Sequence, residues 1–224
     1  MTAGEDNDSR KRFLLYFEEG LERKHAEQTA GWFDRFAGPI TIEVVDSPVR
    51  LTPNDQGNLV WDEVFSTLGK VRQEDQIPAS TFIALLTKTP NEQNWFAVQD
   101  PNQMQNGFIH FGDFSWVTSA PSEIIAAHFI LKGLYNILLH EAQVPWKEMF
   151  HQTPRGCLFD FCADKQDLSF NLRTADVCGD CMQVFQSVGI PDAILKQTVA
   201  IMEGTRRLAV NTGQFMEQEA NFHD

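Results

Sequence analysis

Residues 140–181 read HEAQVPWKEMFHQTPRGCLFDFCADKQDLSFNLRTADVCGDC, and this stretch contains all four cysteines of the chain and its only CxxC motif. Cys157 and Cys162 are separated by four residues, Cys178 and Cys181 by two, and fifteen residues lie between the pairs. A structural zinc ion takes four ligands in a tetrahedron, and close cysteine pairs on tight turns supply them at about 2.3 Å. The spacing therefore predicts one zinc ion per chain, bound by these four cysteines.

Glycines flank the cysteines at Gly156, before Cys157, and at Gly179, after Cys178. Because glycine adopts positive φ without strain, we expect both to form turns that point backbone amides at the thiolates. Basic and apolar residues nearby are expected to offset the charge and to surround the ion: Arg155, Lys165, Arg173, Phe159, Phe161, Leu168 and Phe170. Four protein ligands leave no position for water, so the predicted zinc is structural. Two disulfides, redox-active thiols and buried cysteines unrelated to a metal are the alternatives.

His140-Glu141 starts the pattern HExxH without completing it. In that motif the two histidines share one helix face and bind zinc, and the glutamate activates the zinc-bound water. Here Val144 occupies the position of the second ligand and proline follows it. His151 lies eleven residues after His140. The candidate catalytic residues are therefore His140, Glu141 and His151.

These motifs together resemble the archaemetzincin-type metallopeptidases, in which HExxHxxGxxH is followed by CxxxxC and a later CxxC. The resemblance covers roughly residues 40–185 and is specific in the cysteines. The middle histidine is missing, Lys147 replaces the glycine, His151 is one residue late and the cysteine pairs are closer together. The resemblance implies a metzincin-like half-domain that keeps a four-cysteine zinc knot and has a degenerate catalytic motif.

The remaining histidines are better explained as structural residues. The HExxH motif does not fit at His128 either, because Phe129 occupies the position of the base and Lys132 that of the second ligand. Twelve residues of straight helix would also place His128 about 18 Å from His140. We expect His128 in the core, His140 as a cation near a helix C-terminus, and His110 half-buried on a strand.

Hydrophobic periodicity predicts an α+β fold, with a mixed sheet, a long helix, the zinc knot and C-terminal helices. The predicted elements are a helix over residues 10–36, a strand over 40–45, a loop over 46–58, a helix over 60–71, strands over 81–87, 95–98 and 107–111, and helices over 121–141 and from 190 onward. We predict a single domain over residues 1–224. Its parts are a polar tail (1–9), the core (10–145), the zinc segment (146–186) and a C-terminal helix (190–212) with a frayed polar end.

The chain is strongly acidic, with 18 Lys and Arg against 31 Asp and Glu and a net charge of −13. Such a surface repels phosphate backbones and favours a basic partner, so we expect no nucleic acid. Residues 1–12 have no apolar core, and no run approaches the roughly 20 apolar residues of a membrane span. We therefore expect no signal peptide, no membrane and a reducing cytoplasm, where clustered cysteines bind metal.

The first functional hypothesis is a module that binds a protein or peptide. The resemblance implies an edge strand that holds an extended peptide by backbone hydrogen bonds. Residues 107–111 are the expected strand, and Phe114 and Trp116 just beyond it are expected anchors or ordinary core residues.

The second hypothesis is an active zinc metallohydrolase with a rearranged site. It would use His140, His151 and a third ligand from His128 or His110, with Glu141 as the base, and it needs a second metal ion. A third possibility is a subunit of a larger assembly that docks through the zinc knot or the first helix.

Overall fold

The computed structural model describes residues 10–112 and 114–220, so the predicted polar tail of residues 1–9 lies outside the described residues. The chain forms two compact units, Met1–Gly112 and Asp113–Asp224. The first contains a five-stranded mixed sheet with helices, and the second consists mainly of helices, which gives the predicted α+β class. The arrangement as one domain with boundaries near residues 145, 186 and 190 stays a prediction.

The first unit alternates strands and helices and ends in two short strands. Its elements are β1 (Lys11–Phe17), α1 (Lys24–Phe33), β2 (Ile40–Val44), α2 (Trp61–Glu74), β3 (Phe82–Thr87), β4 (Ala97–Gln99) and β5 (Asn106–His110). The strand order is β2-β1-β3-β5-β4, and every neighbouring pair is parallel except β4 with β5. The central strand β3 is buried along its whole length, as the apolar run over 81–87 predicted.

The predicted helix over residues 10–36 is wrong in its first half. Residues 11–17 form β1, which pairs in parallel with β2 on one side and β3 on the other, and the helix begins only at Lys24. Phe13–Phe17 are five consecutive buried residues. A strand covered on both faces loses the alternation of polar and apolar residues, so its apolar run is easily assigned to a helix.

The strand over 107–111 is confirmed as β5, but it does not lie at the edge of the sheet. β4 pairs antiparallel with it and occupies the edge, with Val98 opposite Phe108 and Gln99 opposite Gly107. A Cβ atom at Gly107 would lie 3.0 Å from the Val98 carbonyl oxygen. Glycine therefore allows the close approach of the edge strand.

The second unit contains a 3₁₀ turn, Phe114–Trp116, and five helices: α3 (Ser122–Glu141), α4 (Trp146–Met149), α5 (Asp167–Thr174), α6 (Gly179–Ser187) and α7 (Asp192–Ala220). α3 matches the predicted long helix. By length and composition alone it could cross a membrane, but 61% of its most apolar window is buried inside the protein, as in the core helix of a globular unit. α7 continues to Ala220, past the predicted end at 212, because residues 213–220 include several good helix formers.

Candidate metal centre

Four side chains from the cysteine-rich segment converge on one point in the second unit. The ligand atoms of His151, Cys157, Cys178 and Cys181 all lie within 4.8 Å of one another. His151 Nε2 is 3.2 Å from Cys181 Sγ and 3.3 Å from Cys178 Sγ, and the sulfurs of Cys157 and Cys181 are 3.8 Å apart. All four cysteines of the chain are free thiols, so the disulfide alternative has no support here.

Local structure explains the convergence. Cys178 is the N-cap residue of α6 and Cys181 lies in its first turn, so the helix start presents both sulfurs on one side. Asp176 pairs with Cys157 in a short β-bridge, and the Cys178 N–H donates to Cys157 Sγ at 3.4 Å. Backbone hydrogen bonds from His151 to Phe159 and from Phe161 to His151 bring the imidazole to the same place.

Three of the four predicted cysteine ligands are therefore brought together, and Cys162 is not among them. The backbone pairing with His151 ends at Phe161, and Cys162 follows in the left-handed conformation, with φ of 51°. Burial raises the pKa of the Cys162 thiol to about 11, although the Lys132 ammonium opposes this shift. The fourth position of the cluster belongs to His151, which the sequence placed among the catalytic candidates.

Asp160 anchors the loop that carries Cys157. Its carboxylate is fully buried, and Oδ2 accepts backbone N–H bonds from Arg155, Gly156 and Cys157 at 2.7, 2.7 and 3.1 Å. Asn171 Nδ2 donates to the same oxygen at 3.1 Å and to the Cys157 carbonyl at 2.5 Å. A buried carboxylate needs such donors, and here they fix the backbone that positions the thiol.

Only one of the two predicted glycine turns has the expected geometry. Gly156 has φ of +79°, and a Cβ atom there would collide with the Thr174 side chain, so no other residue fits. Gly179 has ordinary helical geometry as the first residue of α6, and a Cβ atom there would meet nothing within 4 Å. The prediction for Gly179 is wrong, because Cys178 itself provides the extended N-cap conformation.

The apolar surroundings of the cluster differ in part from the predicted set. Phe159 and Leu168 are buried as expected, whereas Phe170 is 49% exposed. Two aromatic residues outside the predicted set lie on α3 and α6: Tyr135 stacks on Phe185 with ring centroids 4.5 Å apart. Phe159 packs edge-on against both rings.

One cation that interacts with Cys157 was missed by the sequence analysis, because it lies on α3, well before the cysteines. Lys132 Nζ donates to the Asp160 carbonyl at 2.6 Å and lies 5.4 Å from the centre of the Phe150 ring. Burial lowers the pKa of Lys132, while Cys162, Asp160 and Cys157 oppose the shift. Arg155, one of the three predicted cations, forms an exposed ion pair with Asp180 at 2.8 Å, and both Asp180 and Cys178 raise its pKa.

The thiols of Cys157 and Cys181 are joined by a hydrogen bond, whose proton lies between two sulfurs 3.8 Å apart. This hydrogen bond lowers the pKa of Cys157, with help from the backbone N–H of Cys178 and against the effect of burial. The same hydrogen bond raises the pKa of Cys181, and burial adds to the rise. A divalent cation bound here would replace that proton and hold both sulfurs as thiolates.

The other catalytic candidates lie outside this cluster. His140 and Glu141 are exposed at the C-terminal end of α3, where His140 is the one basic residue of the last turn, as predicted. His128 is 1% exposed, and burial, with a smaller contribution from Lys132, lowers its pKa to about 3. His110 is buried at the end of β5 in the first unit. Within residues 10–112 and 114–220, no other group of three His, Cys, Asp or Glu side chains converges in this way.

No protein-family model matches the chain, and no curated protein matches it. Four chains of solved structures are similar in fold, and two of them are a zinc-dependent peptidase and an archaemetzincin. The zinc-dependent peptidase from Methanocorpusculum labreanum aligns over 76% of this chain and 98% of its own, with 14% identity and a TM-score of 0.50. Archaemetzincin from Methanopyrus kandleri aligns over 81% of this chain and 97% of its own, with 10% identity and a TM-score of 0.52.

The fold is that of archaemetzincin. This confirms the resemblance predicted from the histidine and cysteine motifs. At sequence identities of 14% and 10%, the similarity concerns the fold alone.

The cluster fits Zn²⁺. Three thiolates and one imidazole form the Cys₃His donor set of structural zinc sites. A tetrahedron with zinc–sulfur distances of about 2.3 Å separates its sulfurs by about 3.8 Å, which matches the 3.8 Å between Cys157 and Cys181. Four protein donors fill the tetrahedron and leave no position for a water molecule. The predicted structural zinc is supported, with His151 in the place that the sequence gave to Cys162.

Proposed function

We propose that this chain is a zinc-stabilised protein of archaemetzincin fold that has lost peptidase chemistry and binds a protein or peptide partner. The observation that carries the proposal is the position of His151. Of the three candidate catalytic residues it is the only one in a metal-capable group, and its partners there are three thiols. An imidazole bound with three thiolates around one zinc ion supports structure and has no room for a reacting water.

The end of α3 supports the same conclusion. Ala142 is the C-cap residue of the helix, so Val144, at the position of the second histidine, lies beyond its last turn. His140 and Glu141 are exposed, without a second imidazole on the following turn. In HExxH sites the glutamate activates a zinc-bound water, and Glu141 does not belong to the metal-capable group of the described residues.

Peptide binding is proposed for the edge of the first unit's sheet, at β4. Val98 lies opposite Phe108, and the neighbouring residues Phe96 and Asp100 form backbone hydrogen bonds to the β5 side. Amide directions alternate along an antiparallel strand, so the N–H of Ala97 points away from β5. An extended peptide adds to such an edge by main-chain hydrogen bonds. The net charge of −13 favours a basic protein segment over nucleic acid.

The test of lost chemistry combines zinc counting with a cleavage assay on a pool of random fluorogenic peptides. Glu141→Gln is the matched variant, because it keeps the size of the side chain and removes the base. We expect one zinc ion per chain and the same background cleavage in both proteins. Two zinc ions per chain, with cleavage that the variant abolishes, would support the metallohydrolase instead.

Binding is tested by substituting the edge strand. Ala97→Pro removes the outward N–H, and proline is tolerated on edge strands, so the protein should fold and keep its zinc. We expect peptides selected on the parent protein to lose binding to this variant. Unchanged binding would place the peptide elsewhere and contradict the edge-strand assignment.

A further inference from the structure

Two tryptophans are fixed edge to face beside the start of β4. Trp61 opens α2 and Trp95 precedes β4 by two residues, and their ring centroids are 5.5 Å apart at an angle of 74°. Asn91, which is 2% exposed, accepts from Trp61 Nε1 at 3.0 Å and from the Trp95 N–H at 3.1 Å, and donates to the Trp95 carbonyl at 2.8 Å. We call Trp61, Asn91, Glu92 and Trp95 the tryptophan clasp.

Hydrogen bonds fix the geometry of the clasp, and one of its two indole rings is exposed to solvent. Three hydrogen bonds from a buried asparagine hold the two aromatic residues in one arrangement, yet Trp95 is 44% exposed. Trp32, in α1 of the same unit, is 5% exposed and shows what a packing tryptophan looks like here. Rigid aromatic side chains that remain exposed are the residues that most often anchor a partner.

The charges around the clasp are negative. Glu92 Oε1 accepts the Trp61 backbone N–H at 3.0 Å, and Asp62 and Glu63 are exposed in the first turn of α2. No lysine or arginine occurs in residues 51–69 or 89–112. A cation that approaches the indole rings therefore meets carboxylates and no competing basic side chain from these segments.

We propose that the tryptophan clasp binds a guanidinium or ammonium group of a basic peptide whose backbone extends along β4. This inference rests on the proposed function and names the chemistry of the partner. A cation within about 6 Å of an indole ring is attracted by the ring quadrupole, and a neighbouring carboxylate adds a charge-assisted hydrogen bond. Main-chain pairing along β4 provides affinity without sequence preference, and the clasp selects Arg or Lys at one position.

The decisive experiment compares two seven-residue peptides, acetylated and amidated, in which valine alternates with either arginine or its neutral isostere citrulline. Their dissociation constants are measured by calorimetry on the zinc-loaded full chain at low salt. We expect the arginine peptide to bind about tenfold more tightly than the citrulline peptide. Trp95→Ala should abolish this ratio, Trp95→Phe should reduce it, and Glu92→Gln should reduce it several-fold.

Two matched controls separate the clasp from general attraction to an acidic protein. Glu74→Gln removes the same charge from the far end of α2, about 20 Å from Trp61 along the helix, and Trp116→Ala removes a tryptophan that is 85% exposed in the second unit. Both should keep the tenfold ratio. A ratio that survives in Trp95→Ala, or that falls equally in Glu74→Gln and Glu92→Gln, would overturn the clasp. Circular dichroism and thermal unfolding of Trp95→Ala and Trp95→Phe confirm that loss of binding is not loss of folding.

The remaining outcomes distinguish the clasp from the function on which it rests. Equal binding of both peptides, or binding of neither while members of a random pool still bind, would overturn the clasp and leave peptide binding in place. If no peptide from the pool binds either, peptide binding itself is overturned.

Discussion

The sequence assigned both ends of residues 140–181 to one set of metal-site motifs, and the structure arranges the two ends differently. At the C-terminal end, four donors are fixed by a helix start, two β-bridges and a buried carboxylate, and their ligand atoms lie within 4.8 Å of one another. At the N-terminal end, His140 and Glu141 are exposed on the last turn of a helix. A metal site depends on the backbone that brings its ligands together, and among the described residues this convergence includes His151 and three cysteines but neither His140 nor Glu141.

The largest expected effect comes from removing a sulfur from the cluster at the C-terminal end of this stretch. Cys181→Ser should lose the zinc ion and destabilise the protein by about 4 kcal/mol or more, because metal binding contributes directly to folding free energy. Cys162→Ser is the matched control and should keep zinc and most of the stability, since that thiol lies outside the cluster. Zinc content and urea unfolding measure both. Loss of zinc in Cys162→Ser would return that residue to the ligand set.

The support beneath the cluster is tested by Asp160→Asn. The variant keeps the shape but loses the anion that accepts four N–H bonds, so we expect a loss of about 3 kcal/mol and zinc affinity about 10- to 100-fold weaker. Asp164→Asn is the control, because Asp164 is exposed and its carboxylate accepts one N–H, from Gln166, in the described contacts. Equal effects of the two substitutions would mean that burial of Asp160 does not position the loop.

The core of α3 should respond to acid through His128. Its folded-state pKa, about 3, lies below the unfolded value of 6.5, so the neutral form is favoured in the folded protein. The contribution to stability is complete above pH 6.5 and is lost as pH falls toward 3, with about 2 kcal/mol lost between pH 7 and 5. Urea unfolding of the zinc-loaded protein and of His128→Gln at both pH values isolates this part. If the free energy of unfolding changed equally with pH in both proteins, the contribution assigned to His128 would be contradicted.

The smallest expected effect is at the exposed end of the stretch. Glu141→Gln should change the free energy of unfolding by less than about 0.5 kcal/mol, as for most surface substitutions. Zinc content should also stay the same. A drop from two zinc ions to one in this variant would show that the HE pair takes part in a second metal site, and the contrast between the two ends would fail.

The sequence predicted the parts of the fold whose patterns are local. The buried strand over 81–87, the long helix over 121–141 and the cysteine cluster follow from apolar runs and spacing, and each is present. β1 was assigned to a helix, because Phe13–Phe17 is apolar without alternation and only its two parallel neighbours make it a strand. Whether an apolar run is a strand depends on partners that lie far along the chain.

The metal site was likewise predictable only where its pattern is local in sequence. Spacing identified Cys157, Cys178 and Cys181, but the exchange of Cys162 for His151 depends on backbone pairing between residues 151 and 161. A histidine six residues before the first cysteine was the available signal, since histidine is the commonest metal ligand. Nothing in the sequence indicated that Lys132 and Asp160 would meet beside the cluster, because tertiary packing of α3 brings them together.

The central claim is that one zinc ion is bound by three sulfurs and the imidazole of His151. X-ray absorption at the zinc edge measures the ligand shell directly on the purified chain. The expected result is one zinc ion per chain with three sulfurs at about 2.3 Å and one nitrogen at about 2.0 Å. A shell of four sulfurs, or a second zinc ion with oxygen and several imidazoles, would contradict the account.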